Sequence, residues 1–271
     1  MGYDLIVSDI DGTLLDGRDR LSPLTQETIL ELIARGVRFA TASARTRPNC
    51  VDALGPIHEK CCALACANGC FVTAADGTVL EDIALDGNLF AGLLDVCDDA
   101  GASYCCVSSD DAVACVRHEM LARIFELFHL RYSLIDDARE ATSLPVSMVA
   151  VYAEQTDTVE SFIQSHAAQL AISPISHSPR LDLRFFFVQN RAVDKGSALE
   201  KIAAHFGIPA ESTLALGDGL WNDGPLLAAA GYAVAMKNAR SQLRGMADVV
   251  TELDNTDDGA AHFLRSFFRL P

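Results

Sequence analysis

The sequence predicts an α/β protein: a doubly wound parallel sheet built from both ends of the chain, interrupted by an inserted α+β segment. Three observations carry this. Strand and helix patterns alternate over about the first 80 residues, which implies parallel strands joined by crossover helices. The middle of the chain instead mixes short apolar runs with helices. The alternation returns towards the C-terminus. These patterns divide the chain into a core of residues 1–82 and 187–271 and an insertion of residues 83–186.

The elements follow in order. Residues 3–8, with the apolar run Leu5-Ile6-Val7, read as a buried strand. Ser22-Pro23 and Thr25 are helix-start signals, and Gly36 stops the amphipathic run that follows. Val37 to Thr41 and Ala63 to Ala67 read as the next strands, and Asp76-Gly77 between apolar runs marks a hairpin. In the insertion, Asn88 to Ala100 is helical and closed by Gly101. Runs 104–107 and 112–116 are joined by the polar Ser108-Ser109-Asp110-Asp111. A helix over 118–130, a strand over 146–152, a helix over 157–168 and a hairpin of 170–175 with 181–188 complete it. The core then resumes with helix 195–206, strand 213–216, helix 223–229 and strand 232–235. A short helix at 240–246, a strand at 248–251 and a helix at 258–269 end the chain.

The chain of 271 residues can bury a sizeable core, and half of it is hydrophobic. Its formal net charge of -16 argues against nucleic acid or an anionic membrane surface as partner. No apolar stretch approaches the roughly 18–20 residues that span a bilayer, and the N-terminus lacks a basic leader. A cytoplasmic location is the expectation. Nine cysteines, an odd number, suit free thiols in a reducing compartment. The cluster Cys61, Cys62, Cys66 and Cys70 lacks the usual zinc-knuckle spacing, and buried small hydrophobes are the favoured reading.

Four segments carry chemistry, each at the carboxyl end of a predicted strand or opening a helix, where open parallel sheets bind ligands. The first is Asp9-Ile10-Asp11-Gly12-Thr13. Two carboxylates there repel each other, and packing has no use for them. A divalent cation would compensate both and leave Asp9 placed to attack phosphorus. An acidic turn is the plain alternative. A calcium loop is excluded, because Gly12 stands at loop position 4 rather than 6 and Arg20 stands at position 12.

The second is Thr41-Ala42-Ser43-Ala44-Arg45, where a hydroxyl and a backbone N–H suit a phosphoryl oxygen and a helix-capping Ser is the alternative. The third is Asp194-Lys195-Gly196-Ser197. A cation opening a helix opposes the macrodipole, and a nearby anion would offset that; a solvated Lys is the alternative. The fourth is Gly217-Asp218-Gly219-Leu220-Trp221-Asn222-Asp223, another acidic loop after a strand, with a helix-capping loop as the alternative.

In this order the four segments resemble the motifs of the haloacid dehalogenase superfamily of phosphatases, closest to its Cof-type branch with a type IIB cap. Ser43-Ala44-Arg45 stands where that family usually has Thr-Gly-Arg. Asn68-Gly69, Ala235-Met236-Lys237-Asn238-Ala239 and Asp257-Asp258-Gly259 agree as smaller marks. The insertion matches the cap in size and mixed pattern only. One departure stands out: three residues, Gly219, Leu220 and Trp221, separate Asp218 from Asn222-Asp223, where the family usually has two.

The resemblance implies a Mg²⁺-dependent phosphatase acting on a small phosphorylated metabolite, with sugar phosphates preferred. Asp9 would be the nucleophile, Asp11 the acid and base, and Asp9, the Asp11 carbonyl and Asp218 the metal ligands. Ile10, Ser43, Ala44, Lys195 and Asn222 would hold the phosphoryl group, with Asp223 and Arg45 behind them. A sugar phosphomutase and a non-catalytic ligand-binding member are the other readings. The cap would choose the substrate. Arg117, His118, Arg123 and Arg131 are its cationic candidates, with a solvated helix face the favoured reading. Oligomeric state is left open.

Overall fold

The computed structural model describes residues 2–109, 112–117, 119–127, 131–136, 140, 145–153, 157–174 and 185–271. The chain divides into two compact units. One comprises Met1–Ala44, Cys50–Glu81 and Asp194–Pro271; the other comprises Arg45–Asn49 and Asp82–Val193.

The first unit is organised around strand β1 (Leu5–Ser8), whose four residues are all buried. It pairs in parallel with β2 (Arg38–Ala42) on one side and β12 (Thr213–Gly217) on the other. With β3 (Ala63–Cys66), β4 (Phe71–Ala74), β5 (Val79–Asp82), β13 (Tyr232–Ala235) and β14 (Val249–Val250), they form an eight-stranded sheet. Its order is β14-β13-β12-β1-β2-β3-β4-β5, and β4 runs antiparallel to β3, so the parallel portion is six strands. Both faces are covered. Ile6 joins one hydrophobic cluster with Phe39, Leu214 and Leu216, while Leu5 and Val7 join another with Ala40, Leu199 and Ile202. A strand buried on both faces needs no polar alternation, which is why Leu5-Ile6-Val7 is a continuous apolar run.

Helix α1 (Pro23–Ala34) starts where expected: the Ser22 hydroxyl accepts the Thr25 N–H, and Pro23 sits at the first helical position. Gly36, at φ +89°, follows its end. Helix α2 (Arg47–Leu54) was not anticipated. Helix α6 (Lys195–His205) opens on a reciprocal cap between Asp194 and Ser197. Helix α7 (Leu220–Ala229) begins three residues earlier than the sequence suggests. The short α8 (Ser241–Arg244) and α9 (Gly259–Phe267) close the unit.

The second unit holds a six-stranded sheet of order β10-β11-β9-β6-β7-β8. Its strands are β6 (Ser103–Val107), β7 (Ala112–Cys115), β8 (Ser133–Leu134), β9 (Met148–Tyr152), β10 (Leu170–Pro174) and β11 (Phe185–Asn190). All pairs are antiparallel except β7 with β8. Helices α3 (Gly87–Asp99) and α5 (Asp157–Ser165) pack on it, burying Phe90, Leu93, Val159 and Ile163 with Tyr104, Val149 and Val151. Helix α4 (Glu119–Leu127) lies between β7 and β8 in sequence. The segment Arg45–Asn49 belongs here through the Arg47 N–H, bonded to the Ser109 carbonyl at 3.3 Å, and the Asn49 Oδ1, which accepts the Arg131 N–H at 3.1 Å.

Two of the four cationic candidates are engaged with neighbouring acids: Arg117 pairs with Asp98 at 2.7 Å and Arg123 with Glu119 at 3.6 Å. His118 lies outside the described residues, as do 128–130 of the expected helix and 175 and 181–184 of the expected hairpin. Among the described residues, no helix is long and apolar enough to cross a membrane.

Candidate active site

Asp9 leaves the C-terminal end of β1 and is only 4% exposed. Its N–H donates to the Leu216 carbonyl at 2.9 Å, which ties the start of the turn to neighbouring β12. The turn folds over the Ile10 carbonyl, which accepts the N–H groups of Thr13, Leu14 and Leu15. Gly12 has φ +74°, and a Cβ there would run into the Asp218 carboxylate. Both facts require glycine and explain why the acidic pair is followed by one. The Thr13 hydroxyl donates to Asp9 Oδ2 at 3.3 Å. Asp11 is half-buried, and its charge bears on both Asp9 and Asp218.

The cation comes from α6. Lys195 Nζ is fully buried and donates to Asp9 Oδ1 at 2.5 Å and to Asp223 Oδ1 at 2.6 Å. These two carboxylates are the anions that offset a lysine at a helix N-terminus. Gly196 permits the arrangement, since a Cβ there would lie 2.5 Å from the Pro225 carbonyl oxygen of α7. On the other side, Ala67, Asn68 and Gly69 all take positive φ after β3. Gly69, at φ +94°, lies so close to the Asp194 carbonyl that a Cβ would collide with it. The Asn68-Gly69 mark thus packs against the start of α6.

The long acidic loop resolves around Asp223. Its Oδ2 accepts the N–H groups of Asp218 at 2.9 Å and Gly219 at 2.7 Å. A carboxylate taking the leading amides lets α7 begin at Leu220 rather than at residue 223. The additional residue is absorbed in that first turn, where Trp221 stands 52% exposed. Gly217 makes room, because a Cβ would meet Asp223 Cβ at 2.6 Å. Asn222 folds back over Gly219, which its Oδ1 approaches too closely to admit a Cβ.

Ser43 is buried just past β2; its N–H donates to the Ala65 carbonyl and its carbonyl accepts the Asn68 N–H, both at 2.9 Å. Ala44 is half-buried. Arg45 is buried too, but belongs to the second unit.

Asp9, Asp218 and Asp223 present oxygens within 4.8 Å of one another, the one such group of potential metal ligands among the described residues. The cysteines form none. All but half-buried Cys62 are buried, and burial pushes the Cys61, Cys62 and Cys70 thiols up to about 12. With all three ionised, the carboxylates would exceed the one ammonium by two negative charges. This crowding of like charge bears on the acidity of each side chain. Burial, then the Asp223 charge, pushes Asp9 up to about 7 against the pull of Lys195. Burial, then the Asp9 and Asp223 charges, holds Asp218 well above the usual carboxylate range. Burial works to lower the Lys195 pKa, but Asp223 and Asp9 outweigh it and raise it. An excess of two, carried by oxygen donors alone, fits a hard divalent cation. Each of the three is already engaged: Asp223 by Lys195 and the loop amides, Asp9 by Lys195 and the Thr13 hydroxyl, and Asp218 Oδ2 by Asn238.

Sequence reasoning gave Thr13 a place in the turn but not its bond to Asp9, and it had no role for Asn238, whose Nδ2 donates to the Gly12 carbonyl at 2.8 Å and to Asp218 Oδ2 at 3.2 Å. The only signal for Asn238 was its place in the Ala235–Ala239 mark.

The likeness to known proteins follows this geometry. The chain is 25% identical to the phosphatase YwpJ of Bacillus subtilis, over 96% of this chain and 98% of that one. It is 26% identical to a phosphoglycolate phosphatase of Methanoculleus marisnigri, over 97% of this chain and 96% of that one. Its fold matches the subclass IIB sugar phosphatase BT4131 with a TM-score of 0.85 at 22% identity, covering 98% of this chain and 99% of that one. The model of the haloacid dehalogenase-like hydrolases matches residues 6–264. The chain therefore belongs to the haloacid dehalogenase-like hydrolases, and within them it is a phosphomonoester hydrolase.

Proposed function

We propose that the chain hydrolyses a sugar phosphate with Mg²⁺, through a phosphoryl group carried transiently by Asp9. The observation that carries this reading is the buried constellation of Asp9, Lys195, Asp218 and Asp223 at the ends of β1 and β12. In the first half-reaction a carboxylate oxygen of Asp9 attacks phosphorus, and the bond to the ester oxygen breaks. Asp11, two residues on, gives its proton to the departing oxygen. In the second half Asp11 takes a proton from water, whose oxygen attacks the same phosphorus. The acyl–phosphate bond breaks, releasing phosphate and restoring Asp9.

Lys195 holds Asp9 in place and supplies positive charge beside the reacting group. Ser43, with the N–H groups of Ile10 and Ala44, suits the phosphoryl oxygens at the neighbouring strand end, with Asn222 on the facing loop. Asp9 and Asp218 with the Asp11 carbonyl would hold Mg²⁺, which supplies charge compensation between a carboxylate nucleophile and a phosphate dianion. At ~4 Å and an effective dielectric of 20, that repulsion is about 4 kcal/mol per charge pair. The sugar-phosphate preference is supported by the activity named for the structural neighbour BT4131.

The test is a panel of sugar phosphates, phosphoglycolate, nucleotides and pyridoxal phosphate, assayed for free phosphate with Mg²⁺ and with EDTA. Release that peaks on a sugar phosphate, stops in EDTA and returns with Mg²⁺ is the expected result. Activity indifferent to EDTA would remove the metal. Interconversion of hexose 1- and 6-phosphates without free phosphate would replace hydrolysis by transfer.

A further inference from the structure

We infer that Asn238 is a positioning residue that sets the affinity of the Asp9–Asp218 site for its divalent cation, an inference resting on the metal-assisted reading above. Asn238 follows β13 and lies 226 residues from the glycine it touches. Its amide faces three groups. Nδ2 donates to the Gly12 carbonyl and to Asp218 Oδ2, while Oδ1 accepts the Asn255 N–H at 3.3 Å. Two acceptors on one side and a donor on the other are satisfied by a single orientation of a carboxamide. Asn255 extends the tie, since its own Nδ2 donates to the Leu15 carbonyl at 2.9 Å. Two asparagines thus hold both Gly12 and Leu15, near the two ends of the turn that follows Asp9.

The junction that Asn238 spans is a tight one. Gly12 touches the Asp218 carboxylate so closely that it tolerates no side chain. One nitrogen bonded to both partners fixes their separation. It also fixes the rotation of the Asp218 carboxylate by holding Oδ2. The Gly12 peptide directly follows the Asp11 carbonyl assigned to the metal, so the same contact steadies a second ligand. Partners of this kind, hydrogen-bonded to a ligand without touching the metal, are worth roughly 10- to 100-fold in metal affinity.

The experiment measures Mn²⁺ binding by the electron paramagnetic resonance of free Mn²⁺. It uses the wild-type chain, Asn238→Ala and the shape-matched Asn238→Leu. Asn238 is exposed, so both variants are expected to fold, and thermal midpoints in EDTA within about 3 °C of wild type certify it; Asn238→Ser replaces either that does not. The expected result is a Mn²⁺ Kd raised roughly 10- to 100-fold. The metal concentration for half-maximal hydrolysis of p-nitrophenyl phosphate should rise in parallel. A purely structural role would lower the midpoint and leave the Kd alone. A folded variant whose Kd stays within about twofold of wild type overturns the inference while leaving the metal-assisted reading intact. Wild type that binds no Mn²⁺ overturns that reading, and this inference with it.

Discussion

Asp9 is under two opposed demands. As a proposed nucleophile it must be ionised, yet it sits buried beside two further carboxylates. Asp9→Asn removes one ionisable carboxylate from a crowded buried acidic group that already resists ionisation. The variant should therefore lose p-nitrophenyl phosphate hydrolysis entirely, while its thermal midpoint in EDTA stays at or above that of wild type. Retained hydrolysis would refute the nucleophile assignment. Lys195 predicts the reverse balance. Lys195→Met strands Asp9 and Asp223 without their shared cation, and removing one partner of a buried ion pair costs about 3–5 kcal/mol. Urea unfolding in EDTA should show that loss; a change under about 1 kcal/mol would mean the ammonium is not holding the site together. Asp9, Asp218 and Lys195 were legible in the sequence because each is a charge placed at a strand end or helix start, where packing does not call for one. The Lys195–Asp223 contact and the Asn238 bridge were not legible. They join residues 28 and 226 positions apart, and no local pattern records such a meeting.

Among the elements, the two turns at Gly69 and Gly77 make a controlled comparison. Both glycines have positive φ, +94° and +86°. A Cβ at Gly77 meets nothing within 4 Å, whereas one at Gly69 strikes the Asp194 carbonyl at the head of α6. Gly77→Ala should cost only backbone strain, about 1 kcal/mol, and leave turnover unchanged. Gly69→Ala should add displacement of α6, and with it of Lys195, so kcat falls as well as stability. Equal turnover in the two variants would show that this turn does not place the lysine. Elements with a strong period or clear punctuation, such as β1, α1 and α6, were readable in advance. Helix α2 was not, because Arg47-Pro48-Asn49-Cys50-Val51-Asp52-Ala53-Leu54 carries no continuous apolar stripe. The start of α7 was missed because Asp223 acts backwards on its own leading amides, so the acidic loop and the first turn of the helix are one structure.

Across the molecule, eight of the nine cysteines are buried and Cys62 is half-buried. With its thiol pushed up to about 12 by burial, Cys62 stays in the unreactive thiol form at pH 8. The native chain should therefore react slowly with an aromatic disulfide reagent at that pH, and all nine thiols should react once guanidinium unfolds it. Prompt labelling of several thiols in the native state would contradict this packing. The central place of β1 has a further consequence, for synthesis. Its partner β12 begins at Thr213, and the lysine beside Asp9 lies 186 residues downstream. On the ribosome, the first strand emerges long before the neighbour that completes the sheet. Until then one edge of this buried strand has no partner, a surface that invites pairing between nascent chains. The same delay keeps the chemistry silent. A chain interrupted anywhere before its last quarter carries Asp9 but neither Asp218 nor Asp223, so only a chain translated through those acids carries the whole site.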